Sequence, residues 1–405
     1  MAHDSETGRG ASTFTELWAQ LAPVGRDPGT GGYLRYAYTP AEARLRAWFL
    51  DQAADRDLTV EEDGNGNLFA WWGDPAAGDA VLTGSHLDSV PHGGAYDGPL
   101  GVVSALLAVD ELRERGVTPA RPIGVAVFAE EEGSRFGLAC LGSRLLTGAI
   151  APAAAAALTD RDGVTLAQAM GAVPAGARPE LVARLGCYVE LHVEQGRALV
   201  DLDRAVGVAS AIWPHGRWRL DFHGEANHAG TTLMADRRDP MLTFAATVLA
   251  ANAEARRLGG HATIGRVQVA PNATNAIPSL VSAWLDARAD STETVDAVVA
   301  AVYEAARARA REDGTKVELT AESVSPETEF HVGLRDRLAK VLDSAPVLPT
   351  GAGHDAGVLS AVLPTAMLFV RNPTGVSHSP AEHANDADCE AGVRALADVL
   401  QELAC

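Results

Sequence analysis

Between about Ala80 and Glu132, short apolar runs alternate with one long amphipathic stretch, the strand, helix, strand order of an α/β layer. DAVLTGSH reads as a buried strand. After it Val102, Ala105, Leu106, Val109 and Leu112 recur at helical spacing, and the pattern stops at Gly116, a residue suited to end a helix. PIGVAVFA then reads as a second buried strand that ends on Glu130, Glu131 and Glu132. CYVELH is a third, ending at His192, and TAMLFV a fourth, leading into a loop that holds His378. Open α/β sheets bind ligands beyond the carboxyl ends of their strands, so these four distant segments are expected to aim side chains at one rim.

From about Ile212 the texture changes. WRLDFHG, IGRVQVA and SLVSAWLDARAD look like strands, alternating with helical DPMLTFAATVLAANAEARRL and TVDAVVAAVYEAARARARED. Residues 212–325 are therefore expected to form a separate α+β domain inserted into a first domain made of 1–211 and 326–405, which closes with the helix CEAGVRALADVLQELA. The alanine-rich tract at 151–157 reads as a surface excursion, and no internal repeat is evident.

Composition narrows the class. A chain of 405 residues suits two domains, and its apolar runs fall well short of the roughly 20 residues that span a bilayer. The formal net charge of −20 repels nucleic-acid phosphates and anionic lipid, so neither nucleic acid nor membrane is an expected partner. An acidic substrate would need a local cation to override that field. The opening MAHDSETGRG lacks the apolar stretch of an export signal, and the four cysteines form no C-x-x-C pair, which argues against a disulfide scaffold and a thiolate zinc site. A cytoplasmic protein is expected.

The candidate chemistry lies at the strand ends. GSHLDSVPHGGAYDG places His86, Asp88 and Asp97 within twelve positions, and imidazole with carboxylate is a donor set for zinc and similar ions. Three successive glutamates in AEEEGSRF cannot all stay charged in a cleft without a positive partner. Each cluster alone has a plainer reading, as a hydrogen-bonding histidine or a solvated acidic turn. Three histidines, an aspartate and a glutamate at strand ends together point to metal.

GSHLDSVPHGGAYDGPLGV, EEEGSRFG with LGSR after it, LHVEQG, GEANHAGTT, NATNAIP before a strand ending LDAR, GAGHDA and GVSHSP occur in the order found in a known family. Across residues 84–383 the chain resembles the hydantoinase/carbamoylase family of the aminoacylase and carboxypeptidase-type metallopeptidase superfamily. Its members include N-carbamoyl-L-amino acid hydrolases, β-ureidopropionases and allantoate amidohydrolases. The resemblance implies an α/β, dinuclear-metal catalytic domain with a mixed central sheet flanked by helices, and a smaller inserted α+β lid and dimerisation domain. It also implies two divalent ions per subunit (zinc, manganese, cobalt or nickel), with Asp97 bridging, His86 and His192 completing one site, and Glu132 and His378 the other.

By the same resemblance Glu131 is the general base, Asp88 orients His86, and Gln195, His228, Asn275 and Arg288 contact a small acidic ureido substrate, with His228 also catalytic. Their chemistry suits the roles: Arg288 offers a planar fork to a carboxylate, and His228 and Asn275 can donate to a carbonyl oxygen that becomes an oxyanion. A homodimer is implied. The expected reaction is cleavage of a C–N bond in allantoate or an N-carbamoyl-L-amino acid with release of ammonia. The alternative is an N-acyl or N-formyl deacylase or aminopeptidase of the same superfamily. A binding protein without chemistry would require a lost base or ligand, and Glu131 and all five ligand positions are present.

Overall fold

A computed structural model of the chain describes residues 12–405, so the stretch MAHDSETGRG lies outside the described residues. Two compact units result, one running up to Ser210 and resuming as Glu329–Cys405, the other Ala211–Thr328.

The first unit is built on a mixed sheet. Seven of its nine strands are β1 (Thr59–Glu62), β2 (Leu68–Trp72), β3 (Ala80–His86), β4 (Ile123–Phe128), β5 (Leu185–Val193), β6 (Val206–Ile212) and β7 (Thr365–Val370), in the spatial order β1-β2-β4-β3-β5-β7-β6, and the short strands Thr328–Glu329 and Val347–Thr350 pair with β6. β4, β3, β5 and β7 are mutually parallel, while β2 and β6 flank them antiparallel. Every residue of β3, β4 and β7 is buried, as expected of parallel strands covered on both faces. The chain leaves β3 for β4 on one side and later adds β5 on the other, so the connections diverge at the carboxyl end of β3. A crevice is expected at such a point.

The helix Pro99–Glu114 was expected to be amphipathic, yet it is buried from Pro99 through Val109 and again at Leu112. Its second face is covered because it packs against β3 and β5 as well as against the C-terminal helix Asp386–Ala404. Leu106 is fully buried there, and truncating it to alanine should cost about 2–5 kcal/mol. The alanine-rich tract forms a short helix, Pro152–Ala156. It differs from a pure surface excursion in that Ala155 is buried in a small cluster with Phe136, Leu141, Leu145 and Leu166.

The second unit is a four-stranded antiparallel sheet in the order Lys316–Ser325, His215–His223, Leu280–Arg288, His261–Ala270. The helices Pro240–Leu258 and Thr292–Asp313 bury one face. Period-2 alternation explains the arrangement: Val281, Ala283, Leu285 and Ala287 turn to the helices, which puts Ser282, Trp284, Asp286 and Arg288 on the opposite face. No helix among the described residues is long and apolar enough to cross a membrane.

Candidate metal centre and catalytic carboxylates

The parallel register brings the strand ends level. His86 pairs with Phe128 across β3 and β4, and His192 with Phe369 across β5 and β7, so both imidazoles and the turn after β4 share one rim. The loop carrying Asp97 folds back over His86 at Gly98, whose φ is +84°; a Cβ there would lie 2.5 Å from the His86 ring. Only glycine fits both the backbone angle and the space.

Asp97 is the hub. Its Oδ1 lies 3.1 Å from His192 Nε2 and 3.4 Å from His86 Nε2, while its Oδ2 lies 3.3 Å from His378 Nε2. Glu132 Oε2 lies 3.6 Å from the same His378 nitrogen. Two groups of donor atoms result, His86–Asp97–His192 and Asp97–Glu132–His378, each within 4.8 Å of one another and sharing Asp97. Nδ1 of His192 faces the Val193 carbonyl at 2.9 Å and Nδ1 of His86 faces the Asp88 carbonyl at 3.2 Å. With Nδ1 of each ring directed at a carbonyl, Nε2 is the nitrogen left to ligate a metal.

Asp88 was expected to orient His86. Its backbone carbonyl is closer to the ring than its carboxylate, which lies 3.5 Å from Nδ1. The carboxylate also accepts the N–H groups of Glu131 and Glu132, each at 3.2 Å, and so fixes the turn that carries both. Glu131 is buried, with Oε2 3.7 Å from His86 Nε2 and Oε1 accepting from the Cys140 thiol. Glu130 serves the loop: its Oε1 accepts the N–H groups of Arg135 and Phe136 at 2.8 and 2.7 Å.

The electrostatics ask for positive charge. Burial lifts Glu131 well above the usual carboxylate range, and burial together with the Asp97 charge raises Glu132 to about 7. Burial alone would also raise Asp97, but the charge of His192 and the hydrogen bonds of His192, His378 and His86 hold it well below its ordinary value. Burial disfavours the charged form of His378, yet its bond to Asp97 and the charge of Glu132 push it up to about 9. His86 Nε2 and Gln195 Oε1 are buried without a hydrogen-bond partner beside these carboxylates. A pair of divalent cations would use these donors and replace the protons that otherwise neutralise the acids.

Gln195 sits at this centre, its amide donating to Asp97 Oδ2 at 2.8 Å. The other sequence-derived substrate residues lie in the inserted unit. A two-residue antiparallel bridge joins Asn227–His228 to Ala276–Ile277, which puts Asn275 beside His228 although 47 positions separate them in sequence. Arg288 Nε and Nη2 bind Asp286 Oδ1 and Oδ2 at 2.7 and 3.0 Å, and Arg217 stands 3.7 Å from the same carboxylate. Arg217, Asp286 and Arg288 thus form a trio that carries one net positive charge.

Three residues near the centre carried no role in the sequence reading. Glu382 Oε1 accepts the N–H groups of Tyr96 and Asp97 at 2.9 and 3.0 Å, and Ser377 donates to Glu382 Oε2 at 3.1 Å. Both flank His378 in GVSHSPAEH, so proximity to a ligand was the available signal. Asn67, far from every motif, accepts the Ala129 N–H at 3.0 Å and donates to the Gly142 carbonyl, bracing the strand end that leads to Glu131.

The model of peptidase family M20/M25/M40 matches residues 82–402. The chain is 37% identical to an N-carbamoyl-L-amino acid amidohydrolase of Geobacillus stearothermophilus, over 96% of this chain and 98% of that one. It is 32% identical to an allantoate amidohydrolase of Escherichia coli strain K12, over 95% and 96%. The crystal structure of a hydantoinase/carbamoylase family amidase from Burkholderia vietnamiensis matches with a TM-score of 0.89 at 31% identity, covering 97% of each chain.

Proposed function

Because the chain belongs to peptidase family M20/M25/M40, and within it to the hydantoinase/carbamoylase amidases, we propose that it hydrolyses a C–N bond of a small ureido acid, an N-carbamoyl-L-amino acid or allantoate. The observation that carries this reading is Asp97, whose two oxygens face different imidazoles in two donor groups. His86, Asp97 and His192 would hold one divalent ion, and Asp97, Glu132 and His378 the other. Imidazole and carboxylate donors suit zinc or manganese, and also cobalt or nickel. Two such ions, when bound there, would polarise the ureido carbonyl and acidify the attacking water.

The chain's own groups supply the rest. Glu131 takes a proton from the water as oxygen adds to the ureido carbon, and passes it to the departing nitrogen as the C–N bond breaks. Asp88 keeps Glu131 and Glu132 on one rigid turn, so base and ligand stay in fixed relation. Gln195 orients the ureido group, His228 and Asn275 donate to the carbonyl oxygen, and Arg288 binds the substrate carboxylate. The carbamic acid product loses carbon dioxide and leaves ammonia.

The inserted unit serves as lid and homodimer interface. In support, His261–Ala270 is a ten-residue strand at the edge of its sheet, and the helix Pro240–Leu258 exposes Leu242, Val248 and Leu249. Long open edges and exposed apolar stripes are features that a second copy covers. All four cysteines are free thiols, which suits a reducing cytoplasm.

Ammonia release from N-carbamoyl-L-amino acids, allantoate, β-ureidopropionate and N-formylglutamate, set beside turnover of dipeptides and N-acetyl amino acids, tests the reading. Turnover of a ureido acid is expected. Turnover confined to dipeptides or N-acetyl amino acids would replace it with the peptidase or deacylase alternative.

A further inference from the structure

His228 ends the exposed two-residue strand Asn227–His228, and in the loop that follows it Thr231, Leu233 and Met234 are exposed as well. A loop without core packing keeps its shape only through its own polar bonds. Here those bonds converge on one imidazole. His228 Nδ1 accepts the backbone N–H of Gly230 at 3.0 Å and that of Thr231 at 3.2 Å. A backbone N–H can only donate, so Nδ1 carries the lone pair and the ring hydrogen sits on Nε2. The turn closes with the His228 carbonyl accepting from Thr232, through its N–H at 3.2 Å and its hydroxyl at 2.8 Å.

What holds this turn from outside is Arg237. Its Nη2 donates to the Ala229 carbonyl at 2.6 Å and to the Thr232 carbonyl at 3.2 Å, and its Nε donates to the Thr232 carbonyl at 3.3 Å. The planar guanidinium thus gathers the two carbonyls that bracket Gly230 and Thr231, whose N–H groups face His228. The Ala229 N–H, in turn, donates to the Asn275 carbonyl at 3.0 Å, so the same peptide segment ties His228 to its neighbour.

We propose that Arg237 is a positioning residue, which clamps the 228–232 turn so that His228 is presented as a fixed Nε2–H donor to the reacting carbonyl. This rests on the proposed role of His228. Lysine at 237 would supply charge and donors but not a rigid planar fork, so it should hold the turn less well.

The test uses the full-length, metal-loaded protein and the ureido acid that releases most ammonia. Arg237→Ala should lower kcat by about tenfold or more, a smaller loss than the about 100-fold typical of deleting an oxyanion donor outright. KM and metal content should be little changed, and Arg237→Lys should recover part of the rate. In a His228→Ala background Arg237→Ala should add less than about twofold, because both act on the same interaction. An Arg237→Ala enzyme with full kcat, or one that loses the same factor whether or not His228 is present, would overturn the clamp. Full activity of His228→Ala would instead overturn the role of His228 on which the clamp depends. Nitrogen-15 NMR of the imidazoles, with His228 assigned by its loss in His228→Ala, gives a readout independent of turnover. The Nε2–H tautomer is expected in the unmodified protein and a mixture in Arg237→Ala, whereas an Nδ1–H tautomer in the unmodified protein would contradict the proposal.

Discussion

The thiol of Cys140 donates to Glu131 Oε1 across 3.2 Å, leaving Oε2 as the oxygen that faces His86 Nε2. The contact is built into the backbone: Cys140 has a φ of +55°, and its N–H donates to the Glu131 carbonyl at 2.6 Å. A buried donor thus selects which oxygen of the proposed base remains available to water. A thiol is a weak donor, so losing this bond is worth roughly 1 kcal/mol, or about fivefold in rate. Cys140→Ala should therefore reduce kcat by about that factor with two metals still bound, and Cys140→Ser, which keeps a donor, should be close to unmodified. Equal losses in both variants, measured by steady-state kinetics, would assign Cys140 to packing alone.

Glu131 and Glu132 are adjacent, share Asp88 as a backbone anchor, and are proposed for different tasks. Glu131→Gln should retain both metals and lose about 100-fold or more in kcat, because an amide cannot accept the water's proton. Glu132→Ala should lose metal together with activity. Elemental analysis of the two variants checks the division, and equal metal loss in both would refute it.

Arg288 is held by two bonds to Asp286 on the face of its strand away from the helices. Arg288→Ala should raise KM for an acidic ureido substrate by about tenfold or more and change KM for its neutral amide analogue little, with Arg288→Lys between. The same rise for both substrates would remove the carboxylate role.

Glu42 supplies a pH signature outside the donor set around Asp97. Burial raises its carboxyl to about 7, with Arg46 and the Tyr38 N–H opposing and the Asp88 charge adding to the rise. The folded chain therefore holds a proton that the unfolded chain sheds near 4.5. Its stabilising contribution is complete below pH 4.5 and is lost as pH rises through about 7. Glu42→Gln should stabilise the protein by about 1–3 kcal/mol at pH 8 and have little effect at pH 4. Thermal melts at the two pH values decide it, and equal shifts at both would contradict the raised value.

The legible parts of the fold were those with one dominant signal. β3, β4 and β7 are continuous apolar runs, and the two helices of the inserted unit keep helical spacing over 19 and 22 residues. Lys316–Ser325 offers a weak signal because only two apolar residues, Val317 and Leu319, turn inward, on either side of the solvent-facing Glu318. At the site, the strand-end positions of His86, Asp97, Glu132, His192 and His378 were legible, and the structure brings these five together. Glu130 shows the limit: three identical side chains in a row carry no sequence cue that the first braces a loop while the next two face the centre. Asn67 and Cys140 act through hydrogen bonds to other segments, and a lone polar residue reveals such partners only after folding.

The central claim is a two-metal centre bridged by Asp97, and metal stoichiometry measured alongside activity tests it most directly. Elemental analysis of the purified, active protein should find about two divalent ions per chain. Removal by a chelator should abolish ammonia release, and titration back should restore it in step with the second ion bound. Full activity in protein shown to hold no metal, or activity that saturates at one ion per chain, would contradict the account.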